Sequence, residues 1–321
     1  MRSDAKRGST RRSLLFLTCL AAAMLSIALS ACAPVPATAA LPNRHAATPS
    51  VVSSPVRVAR TSLGAVGYRI VGSGPALVMI MGYDTTMSDW DPRFVDALAR
   101  HYRVVIFDNA GTGATEQLPG PLTIDAMARQ TSALIDTLHL SRPGVLGWSM
   151  GGMIAQALAV LDPSQVRRLV LCATFPGTGR AAVPPATYAS LTRLAPRQVA
   201  TVLFPANQAR AYNAFAGAIS GYPPTAAPSA AVLAAQRRAV TQWWTGRDPA
   251  GRKIAAISVP ALIADGAADW VDPAANTRTL ARLIPAARLV LYPDAAHAFL
   301  FQDPAQFAAV VGSFLSDRPV R

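Results

Sequence analysis

The stretch Gly144-Val-Leu-Gly147-Trp148-Ser149-Met150-Gly151-Gly152, continuing through Met153-Ile-Ala-Gln-Ala-Leu-Ala-Val-Leu161, decides how the rest of the chain is read. A short apolar strand over Gly144–Gly147 meets an apolar helical run over Gly151–Leu161, with only a serine-bearing turn between them. A G-x-S-x-G spacing in a strand–turn–helix setting is that of a nucleophile elbow. Such a turn holds its serine in a strained conformation, with the hydroxyl projecting from the C-terminal edge of a sheet. A Cβ at Gly147 or Gly151 would then collide with neighbouring backbone. The helix N-terminus behind Ser149 adds free N–H groups and a positive dipole end.

Outward from this turn, short β-like runs alternate with helical ones. Strands are expected at Val56–Ser62, Ala65–Val71, Ala76–Met81, Arg103–Asp108, Gly144–Gly147, Val166–Ala173, Ala261–Asp265 and Arg288–Tyr292. Runs such as Ala76-Leu-Val-Met-Ile-Met81 and Val104-Val-Ile-Phe107 are continuously apolar, as strands buried on both faces of a parallel sheet must be. Helices are expected at Asp91–Arg100, Thr123–Leu140, Gly151–Leu161, Pro273–Leu283 and Pro304–Leu315. The alternation predicts a mostly parallel, doubly wound α/β sheet. Its first two strands lack an intervening helix and so predict an edge hairpin. Residues 176–250 break the rhythm with eight prolines from Pro176 to Pro228, short helical pieces and the pair Trp243-Trp244. An insertion of that length between strands predicts a helical cap over a binding site. The folded domain is expected over residues 56–317.

A serine hydroxyl needs a base. Of the four histidines, His45 lies in a proline-rich stretch, His101 lies between a surface helix and a strand, and His139 reads as half-buried near a helix end. His297, in Tyr292-Pro-Asp-Ala-Ala-His297-Ala-Phe299, follows the last strand and so reaches the sheet edge of the elbow. The base in turn needs an acid to fix its tautomer. Asp265, Asp269 and Asp272 compete in Asp265-Gly-Ala-Ala-Asp269-Trp-Val-Asp272-Pro273. Asp272 reads as a cap for the next helix and Asp265 as a strand-end residue satisfying turn backbone. Asp269, further out in the loop, is preferred, with Asp265 as the alternative. Trp148, Tyr83 and Phe299 are candidates for an apolar acyl pocket, although core packing would equally explain Trp148 and Phe299.

The order Ser149, Asp269, His297 resembles the triad order of the α/β-hydrolase superfamily. The similarity extends over about Val56–Leu315. It includes Arg103-Val-Val-Ile-Phe-Asp108-Asn-Ala-Gly-Thr-Gly113, the segment Asp269–Pro273 and the closing Phe307–Leu315. The chain resembles capped members of the superfamily, which include esterases, cofactor-free haloperoxidases and carbon–carbon bond hydrolases. The resemblance implies oxyanion-hole N–H groups on Met150 and Tyr83. Two departures stand out: Met81-Gly82 replaces the common His-Gly, and Ala110 stands where an arginine is common. A serine at the elbow argues against haloalkane dehalogenases and epoxide hydrolases, which place aspartate there. These features imply a serine hydrolase acting on an ester or related acyl bond through an acyl-enzyme. A haloperoxidase or perhydrolase on the same triad, and a non-catalytic ligand-binding lipoprotein, are the alternatives.

The composition bounds the remainder. The chain has 321 residues, 51% of them hydrophobic, enough for a packed core and unlike a disordered chain. Its net charge of +13 comes from dispersed arginines, without the clustered cations and aromatics of a nucleic-acid face. Residues 1–31 read as an export signal: cations at Arg2, Lys6, Arg7, Arg11 and Arg12, an apolar run Leu14–Leu29, then small residues. Leu29-Ser30-Ala31-Cys32 resembles a bacterial lipobox, which implies a diacylglycerol thioether on Cys32 and anchorage at the outer face of the membrane. Thr10–Leu15 resembles a twin-arginine signal. A plain cleaved signal or an uncleaved anchor helix would use the same residues. Residues 32–55, rich in Pro, Ala, Ser and Thr, read as a tether. Cys172 then stands alone and reads as a small core residue rather than a second nucleophile. No histidine pair or cysteine partner has metal-ligand spacing. Gly72-Ser-Gly74 and Gly111-Thr-Gly113 are turn glycines rather than a dinucleotide loop, so no metal or cofactor is expected.

Overall fold

The computed structural model describes residues 50–182 and 202–316. The leader, Cys32 and most of the tether lie outside them. One eight-stranded sheet runs in the order β1-β2-β4-β3-β5-β6-β7-β8. Its strands are β1 (Arg57–Thr61), β2 (Gly64–Val71), β3 (Ala76–Ile80), β4 (Arg103–Phe107), β5 (Gly144–Trp148), β6 (Arg168–Cys172), β7 (Ala261–Gly266) and β8 (Ala287–Tyr292). The edge hairpin is present: β1 and β2 pair antiparallel, as do β2 and β4, and every later pair is parallel. The helices are α1 (Pro92–Ala99), α2 (Ile124–Thr137), α3 (Met150–Leu161), α4 (Ala209–Ile219), α5 (Ala230–Trp244), α6 (Ala274–Leu283), α7 (Phe299–Gln302) and α8 (Pro304–Leu315).

Successive side chains of a strand face opposite sides, and that period divides the core in two. From β3, Val78 and Ile80 pack with Met127 and Leu134 of α2 and Ile154 and Leu158 of α3. Leu77 and Met79 pack on the other face with Phe94 and Leu98 of α1 and Phe307 and Val311 of α8. Helices therefore cover both faces, which explains why the central runs Ala76–Ile80, Val104–Phe107, Leu169–Cys172 and Ala261–Ala264 are apolar without alternation. Helix starts follow capping chemistry: Asp91, Thr123 and Asp303 each accept a first-turn N–H at the starts of α1, α2 and α8. Among the described residues, no helix is long and apolar enough to cross a membrane.

Three local expectations are corrected. Residues 50–54 are packed rather than tether-like: Val51 is fully buried, its N–H donates to Asp96 (2.8 Å), and the Ser50 hydroxyl donates to Asp96 (2.6 Å). His139 is exposed, at φ 50°, in the turn that ends α2. Asp272 does not cap α6. Pro273 flanks that helix, and the buried Asp272 instead accepts from Asn276 Nδ2 at 2.7 Å. The helix opens one residue later than the sequence suggests, with Pro273 itself in the cap position, and the Asp272 carboxylate faces the interior.

Candidate active site

Because β3, β5, β6, β7 and β8 are parallel neighbours, the loops leaving their C-terminal ends open on one edge. Ser149 stands between β5 and α3 at φ 57°, ψ −121°, a region costly for any residue with a Cβ. The surroundings enforce it. Ser149 N–H donates to Cys172 O (2.9 Å), and its carbonyl accepts from Gly152 N–H (2.9 Å) and the Thr174 hydroxyl (2.8 Å). A Cβ on Gly147 would strike Gly151 backbone, and one on Gly151 would strike the carbonyls of Ile80 and Met81. The glycines thus allow the elbow to sit against the end of β3.

The loop after β3 crosses the elbow. A Cβ on Gly82 would lie 3.3 Å from Ser149 Cβ, which places the Gly82-Tyr83 turn directly over the serine. Asn109 Nδ2 donates to Met81 O (2.9 Å), and Asp108 accepts from Met87 N–H (2.8 Å) and Ala114 N–H (3.0 Å). This buried pair fixes the loop from β4. Met150 is the first residue of α3, where backbone N–H groups have no partner within the helix.

The loops after β7 and β8 are joined. Asp269 Oδ2 lies 2.7 Å from His297 Nδ1, with both side chains buried. Asp269 Oδ1 accepts from Val271 N–H (2.8 Å) and Asp272 N–H (3.0 Å). An ionised carboxylate only accepts. Nδ1 therefore carries the proton, and Nε2 is left as the acceptor. Ala267 N–H and Ala268 N–H donate to Tyr292 O and Ala295 O, tying the two loops by their backbones. Asp265, the alternative acid, is engaged elsewhere: it accepts from Thr277 Oγ1 (2.6 Å) and Gly266 N–H (2.7 Å). Burial first, then the charges of Asp269 and Asp272, push its carboxyl well above the usual range. Asp272 is raised likewise, by burial and then by Asp269.

The pocket residues divide. Trp148 is buried and its indole N–H donates to His297 O (2.9 Å), with the two rings 5.3 Å apart. It anchors the histidine loop to the elbow strand. Phe299 is taken up by the core, stacked on Tyr292 at 5.3 Å and edge-on to Phe307 at 5.0 Å. Tyr83 is half-buried beside the elbow, and Arg237 of α5 donates to its phenol. Cys172 is buried, and burial and then Asp265 raise its thiol well above its ordinary value, so it is no competing nucleophile. Among the described residues, no group of His, Cys, Asp or Glu could hold a metal.

Sequence reasoning missed a set of amides. Asn276 of α6 accepts from Ala182 N–H (2.7 Å) and donates to Ala182 O (2.9 Å) and to Asp272 (2.7 Å). Gln236 of α5 accepts from Asp84 N–H at 3.2 Å. Leu203 O accepts from Ala298 N–H (2.9 Å). The segment between β6 and β7 therefore touches the loops after β3 and β8 and the helix that follows β7. No periodicity or motif marks such residues.

A model of the family described as the alpha/beta hydrolase fold matches residues 75–304. A Mycobacterium tuberculosis protein provisionally named as a non-heme bromoperoxidase, BpoC, is 35% identical over 246 residues, spanning 73% of this chain and 90% of its own. The pimeloyl-acyl-carrier-protein methyl ester esterase of Nitrosomonas europaea is 30% identical over 268 residues, 77% of this chain and 98% of its own. Among solved structures, an alpha/beta hydrolase fold protein from Chitinophaga pinensis is similar with a TM-score of 0.75 at 26% identity, over 83% of this chain and 99% of that one.

Proposed function

Since this chain belongs to the α/β-hydrolase family, we propose that it is a serine hydrolase that cleaves an ester or related acyl bond by way of an acyl-enzyme. The observation that carries the reading is the 2.7 Å contact between Asp269 and His297 Nδ1, beside an elbow whose strain presents Ser149. Ser149 Oγ attacks the carbonyl carbon while His297 Nε2 takes its proton. The carbonyl oxygen, now negative, accepts from the backbone N–H groups of Tyr83 and Met150. Two such donors lower the barrier by roughly 3 kcal/mol each. The imidazolium formed is steadied by Asp269 and gives its proton to the leaving alcohol. Water, activated by the same imidazole, then releases the acid and restores the serine.

Ser149→Ala tests this directly. The variant is expected to keep its melting temperature, lose turnover of a short-chain chromogenic ester by about ten-thousand-fold or more, and lose labelling by a fluorophosphonate. Retained turnover would overturn the mechanism. A second reading is favoured by the similarity to BpoC: hydrogen peroxide in place of water would attack the acyl-enzyme and yield a peracid able to oxidise bromide. Peroxide- and carboxylate-dependent bromination that disappears in Ser149→Ala would support it.

The domain acts outside the cytoplasm in this proposal. Support comes from the cations before Ser13, the apolar run Leu14–Leu29 and Cys32 at its end, followed by a proline-rich spacer. Cys32→Ala is expected to move the protein from the membrane fraction to the soluble exported fraction with its esterase activity intact. A membrane-bound Cys32→Ala protein would overturn the lipid anchor.

A further inference from the structure

The loop that carries Tyr83 is held from within and from outside. Within it, the Thr85 hydroxyl donates to Gly82 O (2.8 Å) and Thr86 N–H to Asp89 (2.7 Å); Asp84 sits at φ 59°, a left-handed conformation that aspartate tolerates better than most residues. Part of the outside support comes from below: Asn109 holds Met81 O, and Asp108 holds Met87 N–H. The rest comes from the segment between β6 and β7. Gln236 Oε1 accepts Asp84 N–H across a sequence separation of 152 residues, Arg237 donates to the Tyr83 phenol, and the Ser88 and Thr225 hydroxyls lie 3.1 Å apart.

Gln236 is the telling member. It is fully buried, and its Nε2 has no protein partner. Burying an amide donor unpaired is a cost, and an apolar residue of similar length, such as methionine, would avoid it on a helix face lined by Val232 and Val240. The amide orientation is also fixed by chemistry, because Asp84 N–H needs an acceptor and only the oxygen supplies one. The one bond that Gln236 makes is to the residue after the oxyanion donor.

We propose that Gln236 is the positioning residue by which the β6–β7 segment sets the oxyanion loop, so that placement of α5 governs transition-state stabilisation by Tyr83 N–H. The inference rests on reading Ser149 as nucleophile and Tyr83 as oxyanion donor. Removing the acceptor lets Asp84 relax from its left-handed conformation and rotates the adjoining peptide, which carries the loop away from the developing oxyanion. Ground-state binding, made elsewhere along the acyl chain, is left in place.

The test compares the full-length enzyme with Gln236→Met, Gln236→Asn and Val240→Ala on one chromogenic ester. Gln236→Met keeps the volume and removes the acceptor, and Gln236→Asn keeps an amide that falls one methylene short of Asp84. Both are expected to lower kcat by about thirtyfold, a part of what losing an oxyanion donor outright costs. KM is expected to stay within about threefold, the signature of an interaction made only in the transition state. Fluorophosphonate labelling of Ser149 should slow in the same proportion. Val240→Ala opens a cavity in the same helix face without touching the loop, and is expected to lower Tm while leaving kcat at 25 °C unchanged. The inference is overturned if Gln236→Met and Gln236→Asn keep wild-type kcat, or if Val240→Ala loses kcat in equal measure at equal loss of Tm. Should Gln236→Met fail to fold, Gln236→Asn alone decides between these outcomes. The underlying mechanism is tested separately: an inactive Ser149→Ala beside a fully active Gln236→Met removes only the positioning role, whereas an active Ser149→Ala removes both.

Discussion

The sheet edge and the segment between β6 and β7 contribute to the same site in opposite ways. The edge supplies reactive groups from turns whose geometry is forced by the strands that feed them. Ser149 follows β5 immediately, and His297 and Asp269 sit on the loops after β8 and β7. The segment supplies no acid, base or nucleophile to the proposed chemistry. It supplies contacts to the loops after β3 and β8 and to the helix after β7: Gln236 to Asp84 N–H, Leu203 to Ala298 N–H, and the Ala182 backbone to the Asn276 side chain. The sheet edge can thus carry the chemistry while the segment tunes how well the loops are held. Losses should accordingly be large on the edge and moderate where the segment touches it.

The sharpest way to break that contrast is Asp269→Asn. The substitution keeps Oδ1 available to Val271 N–H and Asp272 N–H, so the loop should persist. At the Oδ2 position an amide now donates to Nδ1, which forces the imidazole proton onto Nε2 and removes the base. A loss in kcat of about ten-thousand-fold is expected, with Tm little changed. A loss below tenfold in a steady-state ester assay would mean that Asp265, or no acid at all, serves His297.

Asn276→Leu probes the other side of the comparison. The leucine fills a similar volume but removes the two-way clamp on Ala182 and the bond to Asp272. Each buried hydrogen bond is worth about 1 kcal/mol, and Ala182 can turn to solvent because it is exposed. The expected result is a destabilisation of about 2 kcal/mol in urea unfolding, with kcat reduced only about fivefold through a loosened Asp272–Asp269 turn. A loss as large as that of Asp269→Asn would erase the distinction between groups that react and groups that hold.

The two regions also differ in how much of them could be read from residues alone. The parallel doubly wound class, the edge hairpin and the elbow follow from apolar strand runs alternating with period-3.6 helices and from glycines whose missing Cβ atoms are local necessities, whereas the strand order comes from the structure. Asp269 and His297 were reachable because chain order and strand ends limit which loops can meet. On sequence Asp269 is preferred with Asp265 as the alternative, since the two stand four residues apart at the end of β7 and in the loop beyond it, and only side-chain direction separates them. For Trp148 and Phe299 residue type alone leaves pocket lining and core packing equal; burial and the Trp148 N–H bond to His297 O favour packing. Gln236 and Asn276 were invisible: a buried amide on a helix has no spacing rule, and its partner is set by a tertiary approach across many residues.

The smallest effect expected is electrostatic, and it separates the acid that works from the acids that surround it. Asp272 is fully buried, and burial and the charge of Asp269 raise its carboxyl well above the ordinary carboxylate range. The native state therefore keeps this group protonated at a pH where the unfolded chain has released the proton. With more protons bound in the native state than in the unfolded one, stability falls as pH rises from the ordinary carboxylate range towards the raised native value. Asp272→Asn removes that titration and retains an oxygen for Asn276 Nδ2. Asp265 is raised by burial and by Asp269 in both proteins, and losing the Asp272 charge also eases Asp265, so the comparison reads the buried acid pair with and without Asp272. Near pH 4 the variant should melt with the wild type or slightly below it. Towards pH 8 it should melt higher by about 2–4 °C, the shift that about 1 kcal/mol produces in a domain of this size. A Tm difference that stays flat across a thermal-shift series from pH 4 to pH 8 would mean that the native state does not raise the Asp272 carboxyl.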